Sequence, residues 1–189
     1  MGWVTYWWVI RGAIMTSPWM GVGLLFATLT IAAQSAPSKP GAEHQRLGAF
    51  VGTWNSEGQA QESPYGSAGK VTAVDTFEWL PGGFFLSHKF EVKQGGAQFQ
   101  GLEIIGYDSR NKAYTSRLFD SMGNSGTFRA RVQGNAWTWT GDSEVGGKPL
   151  KERCTIVVVR ADVYTNKCDY SADGAKWQPN FEVRSTRVP

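Results

Sequence analysis

The sequence predicts an all-β fold, an antiparallel up-and-down meander of about ten strands that closes into a barrel after a short helix. Turn signals rich in Gly, Pro, Asn and Asp, such as those at 81–83, 133–135 and 146–148, recur along the chain. Runs of β-branched and aromatic residues separate these turns, and no long segment shows the period of an amphipathic helix. A meander of consecutive strands would leave two unpaired edges, so we favour a closed barrel over a sandwich.

The composition is that of a folded domain without a strong charge. The 189 residues are 41% hydrophobic, 13% aromatic and 19% charged, which excludes an ordinary disordered chain. The formal net charge is +3, and the Lys and Arg residues do not cluster in the sequence. The sequence therefore does not indicate the basic patch that binding of nucleic acid requires. Two cysteines are too few for a disulfide-stapled miniprotein or a four-thiolate zinc site. The length predicts one domain with an additional terminal segment.

The N-terminal segment differs from the rest of the chain. No charged residue lies between Arg11 and Lys39, and residues 24–33 are the most apolar stretch. Small residues follow this stretch, at the two positions that a signal peptidase reads. We therefore predict a signal peptide at residues 1–35 and a periplasmic or secreted protein. The alternative is an uncleaved anchor in the inner membrane through residues 13–33, which are long enough to span a bilayer.

Two further regions follow the leader. Residues 36–42 contain two prolines and a glycine, and we interpret them as a linker. Residues 43–189 are predicted to form the barrel domain. Its first residues, 43–50, are expected to form one or two helical turns, and the pattern beyond them is typical of β-strands.

Alternation along the strands predicts which side chains face the barrel interior. In the strand that follows Gly83, every second residue is apolar apart from one histidine, and most of the others are charged. A corresponding inner face is expected in the strand at 136–140. The pattern at 98–108 is ambiguous, and the face that carries Glu103 and Tyr107 is one candidate for the inner face. We predict a ligand site formed by inward-facing residues of these three strands: Phe84, Leu86, His88, Phe90, Glu103, Tyr107, Trp137 and Trp139.

The two cysteines flank a single predicted turn. Cys154 and Cys168 lie on either side of residues 160–162, and the midpoint between them falls inside that turn. In a symmetric hairpin the two residues would be opposite one another, at a Cβ separation that suits a disulfide. Export to an oxidising compartment would favour the bond. We predict a disulfide, and two reduced buried thiols are the alternative.

The start of the first strand resembles that of calycin barrels, the lipocalins and their relatives. Gly52-Thr53-Trp54 comes directly after the predicted helix, as Gly-x-Trp does in those proteins. The resemblance implies that Trp54 closes one end of the barrel and that an arginine of the last strand packs across it. Arg187 has the place and the parity for this role, with Arg184 as the alternative. A guanidinium on an indole face is a favourable contact.

A closer resemblance covers residues 47–187. Four blocks occur in order, at 47–54, 79–86, 106–108 and 119–123. Together they are similar to the bacterial family called domain of unknown function 1579. The resemblance implies a calycin-like antiparallel barrel, and it implies no established activity, substrate or catalytic residue.

The inward position of His88 raises the question of catalysis. Asp75 or Glu103 is the carboxylate that could lie beside it, and such a pair supports acid–base chemistry. The sequence lacks His-x-His, His-x-x-x-His and any Cys/His cluster, so we predict no metal site and no cofactor. We assign no catalytic residue, and a hydrolase or isomerase that uses His88 with a carboxylate is the least favoured hypothesis.

Two other functions remain open. The favoured hypothesis is an exported barrel that binds a small apolar or amphipathic molecule in its interior. The alternative is a structural or assembly factor that uses the outer barrel surface, which would go with a filled interior and an exposed apolar patch. We expect no nucleic-acid partner and membrane contact only through an uncleaved leader, while the oligomeric state stays open.

Overall fold

A computed structural model of the protein describes residues 39–189. The leader predicted at residues 1–35 therefore lies outside the described residues. An α-helix, α1, spans Ala42–Arg46 and continues into a 3-10 helix at Leu47–Ala49. Ten strands follow: β1 Gly52–Ala60, β2 Gly69–Trp79, β3 Phe85–Gln94, β4 Ala97–Asp108, β5 Ala113–Asp120, β6 Ser125–Gln133, β7 Ala136–Val145, β8 Lys148–Arg160, β9 Val163–Ser171 and β10 Gln178–Arg187.

The strands form one closed antiparallel barrel. Each strand pairs with the next along the chain, and β1 pairs with β10 to complete the ring. Closure leaves no strand edge free for pairing with another chain. The predicted all-β meander, its closure and the short helix before it are all confirmed. Within residues 39–189, no helix has the length and apolar composition that crossing a bilayer requires.

The hairpin between β7 and β8 shows how the local sequence sets the register. Val145 ends β7 and Lys148 begins β8, so Gly146 and Gly147 alone make the turn. Both glycines have positive φ, of 57° and 76°, which residues with a side chain rarely adopt. Two such residues form the hairpin turn whose twist matches that of the strands. The turn therefore brings Val145 opposite Lys148 and aligns the rest of the pair.

One end of the barrel is closed by aromatic packing. Phe50, which follows the 3-10 helix, packs edge-on against Trp137 with ring centroids 5.1 Å apart. Trp54 lies beside Tyr164 at 4.7 Å, and its indole N–H donates to the carbonyl oxygen of Phe50 over 2.7 Å. These side chains are at most 5% exposed. The helical segment and the first residues of several strands thus pack together and close this end of the barrel. We call the opposite end the mouth.

The start of one strand differs from the expectation. Strand β3 begins at Phe85, and Phe84 belongs to the preceding turn, where its ring packs edge-on against His44 of α1 at 5.1 Å. The placement of Phe84 on the inner face of this strand was therefore wrong. The reason is that Gly82 and Gly83 both take positive φ, which prolongs the turn by one residue.

A disulfide joins Cys154 of β8 to Cys168 of β9. The two residues are direct register partners, which places their side chains on the same face of the sheet. Cys168 is buried, and both cysteines lie in the inner wall of the barrel. The bond therefore fastens two neighbouring strands from within.

Candidate functional site

The barrel encloses a cavity between its closed end and its mouth. The cavity has a volume of about 280 Å³, and every strand contributes to its wall. Most lining side chains are apolar, among them Phe77, Phe90, Phe99, Phe128 and Trp139. Ligand pockets of roughly 300–1,000 Å³ accept drug-sized molecules, so this cavity suits a smaller one. The barrel interior is therefore packed with side chains at the closed end and contains a cavity in its remaining part.

His88 on β3 lies between two carboxylates on the neighbouring strands. Its Nδ1 is 2.9 Å from Oε2 of Glu103, and its Nε2 is 3.0 Å from Oδ1 of Asp75. Register explains the arrangement, because His88 is the direct partner of Glu103 on β4, while Asp75 lies two residues along β2 from its partner Phe77. The three side chains are only 13–15% exposed. Strand pairing thus assembles a buried polar cluster of His88, Asp75 and Glu103, which we call the histidine cluster.

The protonation of the histidine cluster follows from its hydrogen bonds. Two hydrogen bonds between one imidazole and two carboxyl groups need two protons, since an ionised carboxylate and a bare ring nitrogen only accept. The cluster therefore carries one net negative charge wherever the two protons reside. Burial by itself would lower the pKa of His88, but its hydrogen bonds to Asp75 and Glu103 and their charges raise that pKa to about 9. His88 is consequently an imidazolium at neutral pH.

Further contacts hold the cluster in place. The imidazole stacks on Phe77, with ring centroids 4.0 Å apart and an interplanar angle of 7°. An aromatic face attracts a cation, so this contact favours the imidazolium. Ser56 donates its hydroxyl to Oδ2 of Asp75 at 2.8 Å and lies 2.6 Å from the hydroxyl of Ser185. Both oxygens of Asp75 are therefore occupied, whereas Glu103 contacts His88 through one oxygen only.

A second polar group lies in the wall nearer the mouth. Tyr65, in the connection between β1 and β2, reaches across the mouth to β7, where its hydroxyl is 3.0 Å from that of Ser143. Its ring packs against Tyr170 of β9. Glu152 of β8 lies beside both hydroxyls, and burial raises the pKa of its carboxyl above the ordinary value. Tyr65 thus covers part of the mouth and Glu152 faces the cavity beneath it.

The structure separates the eight sequence-predicted ligand residues into two sets. His88, Phe90, Glu103 and Trp139 line the cavity. The others are absent from its wall. Leu86 and Trp137 are buried in the packed closed end, Tyr107 packs against that end, and Phe84 lies in the turn before β3. Alternation predicted the inward faces, but it contains no information on depth along the barrel axis.

Two functional candidates went unnoticed in the sequence. Glu152 lies two residues before Cys154, so its inward direction follows from that of the cysteine. Tyr65 lies in a turn between strands, where alternation does not apply, and no sequence signal places its ring in the mouth. Asp75 carried a usable signal, because it interrupts the apolar series Val71, Ala73 and Phe77.

The cluster offers limited chemistry of its own. Both ring nitrogens of His88 already have carboxylate partners, so neither is free to accept a proton from a substrate. Among residues 39–189, no group of three or more His, Cys, Asp or Glu side chains has a geometry that could hold a metal ion. The arrangement is better suited to orienting a polar group inside an apolar cavity than to bond cleavage.

The fold and the interior site define a calycin-like β-barrel. Residues 39–187 match the model of the family described as protein of unknown function (DUF1579), and the chain belongs to this family. This match confirms the family resemblance seen in the sequence. No protein in the curated set has significant sequence similarity to the chain.

Two solved structures share the fold. The crystal structure of Rv2717c from M. tuberculosis has a TM-score of 0.58 and 13% identity, covering 79% of this chain and 99% of that one. The S-type phycobiliprotein lyase CPES from Guillardia theta has a TM-score of 0.50 and 10% identity, covering 78% of this chain and 93% of that one. At these identities the likeness establishes the barrel architecture alone.

Proposed function

We propose that this protein is an exported carrier or receptor that binds one small apolar or amphipathic molecule inside its barrel. The observation that carries the proposal is the interior cavity of about 280 Å³, whose wall is mostly apolar and also carries the histidine cluster and other polar side chains. An apolar wall with a few convergent polar side chains is the usual composition of a small-molecule site. The apolar residues supply affinity, and the polar ones fix the orientation of the ligand.

The proposal of export rests on the cysteines and on the leader. A disulfide between two strands persists in an oxidising compartment and is rare in the cytosol. The sequence of residues 1–35 agrees with this, since it has the features of a signal peptide. We therefore place the working protein in the periplasm or outside the cell.

Native mass spectrometry tests the binding function. The protein is isolated from its own periplasm without detergent, and its mass is compared before and after denaturation. A discrete small molecule released on denaturation is the expected result. Ala73→Trp places a large ring in the cavity wall and should abolish the additional mass, with Ala73→Phe as a smaller replacement that is easier to accommodate. Val74→Trp is the matched control, because Val74 is the next residue and is 44% exposed.

A second function, binding of a protein partner through the outer surface, is favoured by one observation. Leu102 of β4 and Phe119 of β5 are direct register partners, and they are 40% and 47% exposed. Exposed apolar neighbours of this kind occur at interaction sites. The same native spectra test it, because a stoichiometric protein adduct that Leu102→Ser removes and Ala73→Trp retains would favour this function over the first.

A further inference from the structure

We infer that the ligand of the cavity is an amphipathic amine, an apolar body that carries one protonated amino group. This inference rests on the proposed function and specifies its ligand class. It depends on the balance of charge in the cavity wall and on the partners that each charged group already has.

The ionisable wall of the cavity is acidic. Its charged side chains are four carboxylates and one imidazole, namely Asp75, His88, Glu103, Asp120 and Glu152. Of the 19 Lys and Arg residues in the sequence, all but Arg11 belong to the described part of the chain, and none of these lines the cavity. The wall therefore holds more negative than positive charge.

Two of the four carboxylates are already satisfied by the protein. Asp120 accepts hydrogen bonds from the backbone N–H groups of Met122 and Asn124 and from the Asn124 amide, so it serves to hold a turn. Asp75 has both oxygens engaged, as described above. Glu103 and Glu152 remain as the groups able to receive a charged donor from a ligand.

Glu103 and Glu152 face the cavity from different sides. Strand β8, which carries Glu152, is five strands from β3 in either direction around the ring, so it is opposite the histidine cluster. The charge of Glu103 contributes to the raised pKa of Glu152, which agrees with two carboxylates that share one enclosed space. Glu103 has the His88 imidazolium on one of its oxygens, whereas Glu152 has the neutral hydroxyls of Tyr65 and Ser143 beside it. Neutral hydroxyls compensate the charge of a buried carboxylate only in part, and a ligand ammonium would supply a cationic partner.

The same balance disfavours an anionic ligand such as a fatty acid. A ligand carboxylate would enter a low-dielectric space whose wall already has an excess of negative charge and contains no lysine or arginine.

The charge of the whole domain would act in the opposite direction. Residues 39–189 contain 18 basic and 16 acidic side chains, so non-specific attraction favours anions. A preference for amines would therefore come from the cavity itself.

Calorimetric titration with three probes of equal chain length tests the inference. The probes are octylamine, octanol and octanoate, each titrated into the purified chain at pH 7. We expect one octylamine per barrel, bound at least about tenfold more tightly than octanol, because hydrogen bonds to charged groups are stronger than neutral ones. Octanoate should bind more weakly than octanol.

A charge-removing variant locates the effect. Glu152→Gln keeps the size of the side chain. It should weaken the binding of octylamine about tenfold and leave the binding of octanol unchanged. Glu144→Gln is the matched control, since Glu144 lies on neighbouring strand β7 and is exposed. It should bind all three probes as the wild type does. Fluorescence-monitored unfolding of each variant establishes that the barrel is intact.

The outcomes separate this inference from the proposed function. If octanol binds as tightly as octylamine, or octanoate binds more tightly, the amine inference is wrong and the cavity remains a binding site. If Glu144→Gln weakens the binding of octylamine as much as Glu152→Gln does, the amine binds to the protein surface and the inference is again wrong. If none of the probes binds, the proposed function fails together with it.

Discussion

Trp54 and Arg187 are register partners on β1 and β10, and the guanidinium carbon of Arg187 lies 4.1 Å from the centroid of the Trp54 ring. The same guanidinium donates hydrogen bonds to the carbonyl oxygens of Ala49 and Val51, where the helical segment joins β1. One side chain thus joins the first strand, the last strand and the helix. The contact therefore stabilises the pairing of β1 with β10, which completes the ring of strands, at the closed end of the barrel.

Trp54→Ala should destabilise the protein by about 3–5 kcal/mol, the usual range for large-to-small changes of a buried aromatic residue. Trp54 is 1% exposed, and its removal would leave a cavity beneath Tyr164. Urea unfolding followed by circular dichroism measures the change. Trp79→Ala is the control, since Trp79 is 37% exposed and should have a much smaller effect. Equal losses in both variants would contradict the closing role of Trp54.

The His88 imidazole should titrate with a midpoint near pH 9. A histidine whose pKa is higher in the folded than in the unfolded protein stabilises the fold below the unfolded value of about 6.5, and this contribution is lost as the pH rises through 9. Nitrogen-15 NMR of the ring reports the protonation, with His88→Gln used to assign the signal. A neutral imidazole at pH 7 would show that the carboxylates do not control this group.

Glu152→Gln should stabilise the barrel at neutral pH. The carboxyl pKa of Glu152 is raised by burial, so the folded state binds its proton more tightly than the unfolded state. The free energy of unfolding therefore falls as the pH rises above the unfolded value of about 4.3, and glutamine removes this decline. Urea unfolding at pH 4 and pH 7 measures it for both proteins. A variant no more stable than the wild type at pH 7 would show that the hydroxyls of Tyr65 and Ser143 outweigh the cost of burying the charge, and would contradict this prediction.

Loss of the Cys154–Cys168 disulfide should lower the free energy of unfolding by about 3 kcal/mol, the value that the chain-entropy model gives for a loop of this size. The two cysteines are 14 residues apart in the sequence. The Cys154→Ala/Cys168→Ala double variant measures the effect without a reductant. The intact mass of the wild type should rise by the mass of two hydrogen atoms on reduction. Equal masses, or a double variant as stable as the wild type, would contradict this prediction.

The local patterns of this chain determined its fold class and family. Turn residues such as Gly146 and Gly147 select hairpin turns through their backbone preference, and alternation within each strand divides inward from outward residues. These are short-range properties, so they are readable without the rest of the molecule. The family blocks and the symmetric spacing of the two cysteines around one turn are likewise present in the sequence alone.

Tertiary structure decided the composition of the site. Whether an inward residue such as Trp137 packs the closed end or, like Trp139, lines the cavity depends on its height in the barrel, and height depends on the stagger between strands. The pairing of His88 with Asp75 and Glu103 needs three strands in register. The approach of Tyr65 to Glu152 needs a connection that crosses the mouth. Such contacts join residues far apart in the chain, and only closure of the barrel brings them together.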